Sequence, residues 1–208
     1  MKGVLIMKTN EERLKELLAY LDNLDHIHVE DIPQIDLYMD QVTTFMESHL
    51  GDLKRYPDDK VLTKTMINNY AKNNLLPSPV KKKYTQEHIL LLVFIYYFKN
   101  LLNLSDIETI LSYITENHFG EETLPLSEVY TEVFKLEHKQ MENLKSDVKQ
   151  KFNAASETFK QVEDESSRND LQLFAFICEL AFDVFLKKQM IEQITDQLRA
   201  ENPPTKKK

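Results

Sequence analysis

Glycine is scarce in this chain, and this scarcity constrains the fold more than any other feature. Only Gly3, Gly51 and Gly120 occur among 208 residues, and there is no tryptophan. Residues that form helices well, namely Leu, Lys, Glu and Gln, are abundant. Sheet architectures with many tight turns usually need more glycine than this. The sequence therefore predicts an all-α fold in which helices pack on helices.

Apolar residues at helical spacing divide the chain into segments. We expect an N-terminal helix within residues 1–29 and a middle domain of short helices over residues 30–115. Residues 126–200 predict a helical bundle or helical hairpin that pairs two copies or holds an effector. Residues 201–208 predict a disordered tail.

Three local signals refine the middle segment. Apolar residues from Ile35 to Leu50 predict a single amphipathic helix with a wide buried face that includes Tyr38. Thr63 predicts the cap of a short helix whose inner face consists of Leu62, Met66, Ile67 and Tyr70. Ser105, with Glu108 three residues later, has the form of a capping box.

The C-terminal segment is strongly apolar. From Leu171 to Leu198 its first half is so apolar that we expect burial on nearly every side. Cys178 is the only cysteine, so it excludes an internal disulfide; we expect it to pack in the core of a cytoplasmic protein. The longest apolar run, Ile89–Phe98, has ten residues, whereas a membrane span needs about 18. It predicts a buried helix, and we expect no contact with a membrane.

Positive charge is concentrated in one part of an acidic chain. The net charge is −8, yet Lys60–Lys99 holds seven lysines and one carboxylate, that of Glu87. A run of charge also fits a plain solvated surface, but this asymmetry favours contact with something negative.

The short helix after Thr63 has residues suited to DNA. Lys64, Asn68 and Lys72 recur every four residues and share one outer stripe. Asparagine can pair bidentately with adenine edges, and lysine with guanine or phosphate. Pro77 and Pro79 then break the helix, so that the lysines 81–83 follow on a stiffened loop that could reach flanking phosphates.

Four motifs between Val61 and Leu111 follow one another in a recognisable order: NNY, NLLPSP, YTQEHI and LSDIETIL. Together they resemble the winged helix-turn-helix of mercury-resistance-type (MerR) regulators. The resemblance implies that residues 30–115 form an all-α, MerR-like winged helix-turn-helix DNA-binding domain. In it, the helix ending at Tyr70 reads DNA and the following loop forms a wing.

The match to that pattern is incomplete. The family's recognition helix has Arg-Tyr-Tyr where this chain has Asn68, Asn69 and Tyr70, so only the last residue agrees and the arginine that grips the DNA backbone is missing. Tyr70 is either a backbone contact or a buried ring. Asn74 replaces a glycine and tolerates left-handed geometry. Residues 80–83 replace the glycine and arginines of the wing with a shorter loop.

A second resemblance covers about Ile32 to Ile114. It is carried by IDLYMDQVTTFM, LTKTMINNYAKNNLLPSPVKKKYTQEHILLLVFIYY and LSDIETIL. These motifs are similar to a bacterial family, found chiefly in Firmicutes, that is known only as the domain of unknown function numbered 1836. Membership implies a DNA-binding regulator without an established activity.

Sequence motifs for catalysis are missing. Three scattered glycines leave no Gly-rich phosphate loop, dinucleotide fingerprint or Gly-x-Ser-x-Gly elbow. The six histidines never fall at the spacing of helical metal sites. We therefore expect no enzyme activity, no cofactor and no metal.

Two hypotheses about function follow. The first is a cytoplasmic transcriptional regulator that binds double-stranded DNA as a homodimer, with recognition helices roughly 34 Å apart. Its candidate groove residues are Lys64, Asn68, Asn69, Lys72 and Asn73, and its candidate backbone contacts are Lys81, Lys82, Lys83 and Tyr70. The second is a non-enzymatic interaction module whose basic face binds an acidic partner protein. A small-molecule effector in the phenylalanine-rich region after Leu126 is compatible with the first.

Overall fold

The structure, a computed structural model, describes residues 8–202. Over these residues the helices are α1 (Asn10–Asp22), α2 (Met39–Leu50), α3 (Lys64–Lys72), α4 (Gln86–Phe98), α5 (Leu104–Asn117), α6 (Leu126–Ser156) and α7 (Glu165–Glu201). Two short strands, β1 (Leu37–Tyr38) and β2 (Lys83–Tyr84), complete the secondary structure, with 3-10 turns at Val29–Asp31 and Gly51–Leu53. The all-α prediction is confirmed. Of the predicted tail, residues 203–208 lie outside the described residues, as do residues 1–7 of the N-terminal segment.

Packing divides the chain into two units. Unit 1 combines the residues up to His26 with Lys135–Lys187, and unit 2 combines Ile27–Phe134 with the residues from Lys188 onward. Within the described part of the chain, no helix is both long and apolar enough to cross a membrane.

Unit 1 is built from α1, the second half of α6 and the first half of α7. Its small core consists of Val148, Phe152, Ala155 and Phe176, against which leucines of α1 pack. The rings of Phe152 and Phe176 meet edge to face with centroids 5.4 Å apart. Thr9 caps α1 through a capping box with Glu12, so the helix begins where its local sequence directs it.

The first half of α7 is exposed along one side, so the prediction of burial all round is wrong. Phe176 faces the core of unit 1, whereas Phe174 and Phe182 are 63% and 62% exposed. Cys178, expected in the core, is only half-buried. The physical reason is that α1 and α6 contact α7 from one side only, and composition alone does not reveal how many neighbours a helix has.

Unit 2 surrounds α4. Every residue of this helix from His88 to Tyr96 is buried, as its uniformly apolar sequence predicts. Residues of α2, α3, α5 and the start of α6 complete the same core, which includes Met46, Ile67, Ile107 and Tyr130. The hydroxyl of Tyr130 donates to the backbone carbonyl of Ile27 at 2.6 Å.

Helix α2 is shorter than predicted. It begins at Met39 because the side chain of Gln41 accepts the backbone N–H of Tyr38 at 2.8 Å and so caps the helix there. Ile35 and Tyr38, predicted on its buried face, are exposed instead. Residues 37–38 are extended and pair antiparallel with β2, with Leu37 opposite Tyr84 and Tyr38 opposite Lys83.

Helix α5 is capped two residues earlier than predicted. Asn103, rather than Ser105, accepts the backbone N–H of Asp106 at 3.0 Å. The carboxylate of Asp106 is mostly buried and also binds Arg199 of α7 at 2.7 Å. Local sequence does not reveal this long-range pair, whereas the cap itself is a local contact between Asn103 and Asp106.

Candidate nucleic-acid interface

The start of α3 is held by both neighbouring helices. The backbone N–H of Val61 donates to Glu47 of α2 at 3.2 Å, and its carbonyl accepts from the ammonium of Lys99 at 2.6 Å. Thr63 then caps α3 by accepting the N–H of Met66 at 3.2 Å, as predicted. The orientation of α3 is therefore fixed at its entry.

Two charged groups near Val61 take part in this framework. A hydrogen bond from Lys54, followed by the one from the Val61 amide, lowers the pKa of the Glu47 carboxyl. Burial lowers the pKa of Lys99, whose ammonium also lies 4.8 Å from the ring centre of Tyr96. Lys99 therefore supports the fold rather than the exposed basic surface.

The outer face of α3 is polar and exposed. Asn68, Asn69 and Lys72 all lie on it, as predicted, while Ile67 is fully buried on the opposite side. Thr65 shares this exposed face and was not among the predicted residues. Its spacing of three, four and seven residues from Asn68, Asn69 and Lys72 is the signal that identifies it.

The structure decides between the two alternatives for Tyr70 and corrects the prediction for Met66. Tyr70, a candidate backbone contact, is only 5% exposed and belongs to the core of unit 2. Burial also raises the pKa of its hydroxyl. A ring so enclosed presents little surface to a phosphate, so the buried alternative describes Tyr70. Met66, predicted on the inner face, is 36% exposed because it lies at the margin of that face.

Lys64 does not extend freely into solvent. Its ammonium forms an ion pair with the carboxylate of Asp40 in the first turn of α2. Both side chains are more than half exposed, so the pair is open to competition from salt or from another anion.

The end of α3 is a Schellman motif. The N–H of Leu75 donates to the carbonyl of Tyr70 at 3.0 Å, and that of Asn74 to the carbonyl of Ala71 at 3.4 Å. Asn74 has a φ of +59°, the left-handed geometry predicted for it. Asn73 ends the helix, and its side-chain amide donates to the carbonyl of Asn69 at 2.8 Å.

The lysines of the predicted wing form a tight hairpin. The N–H of Lys83 donates to the carbonyl of Val80 at 2.9 Å, closing a turn whose central residues are Lys81 and Lys82. Both have positive φ, +52° and +65°, as in a type I′ turn. Such turns normally contain Asn and Gly, because a left-handed lysine is strained. The turn therefore holds two exposed lysines at its tip at a conformational cost.

The hairpin and α3 both reach the start of α2. Lys83 lies opposite Tyr38 across the strand pair, and its ammonium is 5.4 Å from the centre of the Tyr38 ring. Asp40, two residues further on, binds Lys64 at the start of α3. The structure thus brings Lys64 and Lys83 to neighbouring residues of one short segment.

A buried histidine lies behind the hairpin. The Nδ1 atom of His88 accepts the backbone N–H of Thr85 at 3.0 Å, and the ring meets those of Tyr84 and Phe119 edge to face. Burial lowers the pKa of His88; the nearby backbone of Pro77 and Ser78 and the carboxylate of Asp36 oppose this effect. The neutral ring is therefore the form that caps α4.

A shallow groove of about 370 Å³ lies beside the same segment of unit 2. It is lined by Pro33, Leu37, Asp40, Gln41, Thr44 and Phe45. Its surface is mostly apolar, with Asp40 as the one charged group of the lining.

The middle of the chain matches a known protein family. A family profile described as a domain of unknown function (DUF1836) covers residues 27–133, slightly more than half of the sequence. The chain belongs to the DUF1836 family. The matched range coincides with the continuous part of unit 2, Ile27–Phe134, so α2–α5 and the lysine hairpin lie inside the DUF1836 domain. No curated protein and no solved structure matches the chain.

Proposed function

We propose that the DUF1836 domain of this chain binds double-stranded DNA, with α3 in the major groove and the lysine hairpin on the flanking backbone. The observation that carries the proposal is the shared position of Lys64 and Lys83. They contact Asp40 and Tyr38, which are two residues apart at the start of α2. A helix and a basic hairpin that are held together in this way can contact a DNA groove and the phosphate backbone beside it at the same time.

The charge of this surface supports the proposal. Within residues 8–202, Lys72, Lys81, Lys82 and Lys83 form no ion pair with a carboxylate of the chain. Their charge remains available to phosphates in a molecule that is otherwise acidic. Asn68, Asn69 and Thr65 supply the neutral donors and acceptors that base edges require.

The proposal also includes a type of domain and a biological role. We assign a MerR-like winged helix-turn-helix in a transcriptional regulator, with α3 as the recognition helix and Val80–Lys83 as a shortened wing. Because the usual arginine is missing and Tyr70 is buried, phosphate contacts come mainly from Lys72, Lys81 and Lys82. Lys64 provides a fourth phosphate contact when a DNA phosphate takes the place of the Asp40 carboxylate as its partner.

Titration of the native chain against a labelled duplex of mixed sequence tests the proposal. Four phosphate contacts predict a roughly 100-fold loss of affinity between about 50 mM and about 200 mM salt. Salt-sensitive binding at the lower concentration is the expected result. No binding at that concentration would overturn the proposal.

A second candidate is favoured by the groove beside β1. An acidic partner protein with an apolar segment could place its apolar residues against Leu37 and Phe45 and its carboxylates against the lysine hairpin. The exposed apolar residues Ile35, Tyr38 and Val80 fit this role better than they fit a DNA surface. Absence of DNA binding at low salt would leave this interaction module as the better explanation.

A further inference from the structure

One side of α7 in unit 1 is apolar and faces solvent. It consists of Leu171, Phe174, Ile177, Cys178, Ala181, Phe182, Val184 and Phe185, here called the apolar face of α7. Helical geometry directs most of this face away from Phe176, which points into the core of unit 1. The three phenylalanines of the apolar face are each about 60% exposed. Side chains of this kind are rarely left open to water together.

The spacing along this face is that of a helix-pairing seam. Leu171, Phe174, Cys178, Ala181 and Phe185 follow one another at intervals of three, four, three and four residues. This is the heptad pattern by which one helix packs along another. The occupant is therefore a helix rather than a strand or a small molecule.

The charge and shape of the face suit a second copy of the same chain. None of its eight residues is Asp, Glu, Lys or Arg, so two molecules of an acidic protein can approach here without like charges meeting. Of the two charged residues between Leu171 and Phe185, Asp183 is paired elsewhere: it binds Lys187 at 2.8 Å and Lys151 at 3.7 Å. Bulky residues lie at both ends of the seam and small ones, Cys178 and Ala181, near its centre, so the face can pack against itself.

The area is sufficient for a stable pair. The three phenylalanines, Ile177 and Val184 are each more than half exposed, and Leu171 is 36% exposed. Together they offer on the order of 600 Å² per molecule. Two such faces in contact would remove on the order of 1,200 Å² from water, which reaches the range of specific protein interfaces.

We infer that the apolar face of α7 is closed by the same face of a second copy, giving a symmetric dimer through unit 1. The face lies outside the DUF1836 match, and the inference goes beyond DNA binding without depending on it. In a two-fold contact each residue of the seam meets a residue of the partner's seam. Cys178 is the middle residue of the seam, so it lies close to its counterpart whether the two helices run parallel or antiparallel.

The first test uses the native chain, whose only cysteine is Cys178. Light scattering coupled to size exclusion is expected to give the mass of a dimer, and mild oxidation or a short bis-maleimide is expected to link two chains through Cys178. A native chain that remains monomeric throughout a concentration series overturns the inference. A monomer that binds lipid vesicles also overturns it, because a membrane surface would then be the occupant.

Variants locate the contact. Phe174→Glu combined with Phe185→Glu places charge in the seam and is expected to raise the dimer dissociation constant at least about 100-fold and abolish the cross-link. Met190→Glu is the matched control, because Met190 is 64% exposed on α7 but lies outside the seam, and its dimer should persist. Circular dichroism checks that each variant is folded. If the double variant is unfolded, the inference is tested by the native chain alone: a cross-link through Cys178 supports it and the absence of one overturns it. A folded double variant that still dimerises overturns the inference, whatever the result of the DNA titration.

Discussion

Lys64, the first residue of α3, is paired with Asp40 in the first turn of α2. Because both side chains are largely exposed, the pair adds little to the stability of the fold. Its effect is on the surface potential: it places a carboxylate at the edge of the proposed DNA interface, where phosphates would approach. Asp40 is therefore expected to oppose DNA binding.

Replacing Asp40 with Asn should strengthen DNA binding. The change removes one negative charge and releases Lys64, and we expect the dissociation constant for a duplex to fall about 2- to 5-fold at low salt. Fluorescence anisotropy against the native chain measures the effect. Glu163→Gln, an equal change of charge in the connection between α6 and α7, is the control and should leave the affinity unchanged. Weaker or equal binding by the Asp40 variant would contradict this assignment of Lys64.

Asn74 should be replaceable by glycine but not by alanine. Its φ of +59° strains a residue with a Cβ, and asparagine tolerates this geometry better than alanine does. We expect Asn74→Ala to lower the free energy of unfolding by about 1 kcal/mol, and Asn74→Gly to leave it equal or higher. Urea denaturation measures both.

The neighbouring Asn73 provides the control for this pair of variants. It has a φ of −99°, which alanine adopts freely, so Asn73→Ala loses only the side-chain hydrogen bond to Asn69. If Asn74→Ala lowered the free energy of unfolding no more than Asn73→Ala does, the left-handed geometry would not be the reason for asparagine at position 74.

Local signals in the sequence predicted local features well. The cap at Thr63 and the turn at Asn74 depend on side chains within a few residues of each other, and both are present. A stiffened basic loop was also predicted from Pro77, Pro79 and the lysines that follow, and a hairpin is found there. Its two-residue turn was not, because lysine is a poor residue for positive φ and nothing in the sequence marks that geometry.

Features that depend on distant residues could not be predicted from the sequence. Lys64 is paired because α2 packs beside α3, and no spacing within α3 carries that information. The spacing did place Tyr70 on the inner face of α3, but it could not decide between burial and a backbone contact. The strand at Tyr38 exists only because Lys83 lies opposite it. The ion pair between Asp106 and Arg199 joins α5 to the last turns of α7, and no local pattern reveals it.

The stability of unit 2 should fall as the pH drops below about 6.5, and His88 should account for part of the loss. Burial lowers the pKa of the folded imidazole, while the unfolded chain keeps a value near 6.5, so the unfolded state binds the proton more readily. The contribution of the neutral ring is therefore complete above 6.5 and is lost as the pH falls. A protonated ring also cannot accept the N–H of Thr85.

His88→Gln isolates this effect. Glutamine three residues after a threonine cap can still accept the backbone N–H, but it does not titrate. We expect the loss in the free energy of unfolding between pH 7.5 and pH 5.5, measured by urea denaturation, to be smaller in the variant than in the native chain. An equal loss in both would show that His88 does not contribute to the pH dependence of the free energy of unfolding.

The lysine hairpin offers the most direct test of the proposed function. Alanine at positions 81 and 82 would keep the strained geometry, whereas Lys81→Asn with Lys82→Gly supplies the residues that a type I′ turn prefers. This double variant removes two charges and should raise the free energy of unfolding by about 1 kcal/mol or more. A loss of DNA binding could then not be attributed to unfolding.

The decisive measurement is the slope of the logarithm of DNA affinity against the logarithm of salt concentration. For the Lys81→Asn, Lys82→Gly variant we predict weaker binding to every duplex and a slope reduced in magnitude by about 2. Lys139→Gln with Lys149→Gln, which removes two exposed charges from α6, should match the native chain. An unchanged affinity and slope in the hairpin variant would contradict a DNA surface formed by α3 and the hairpin.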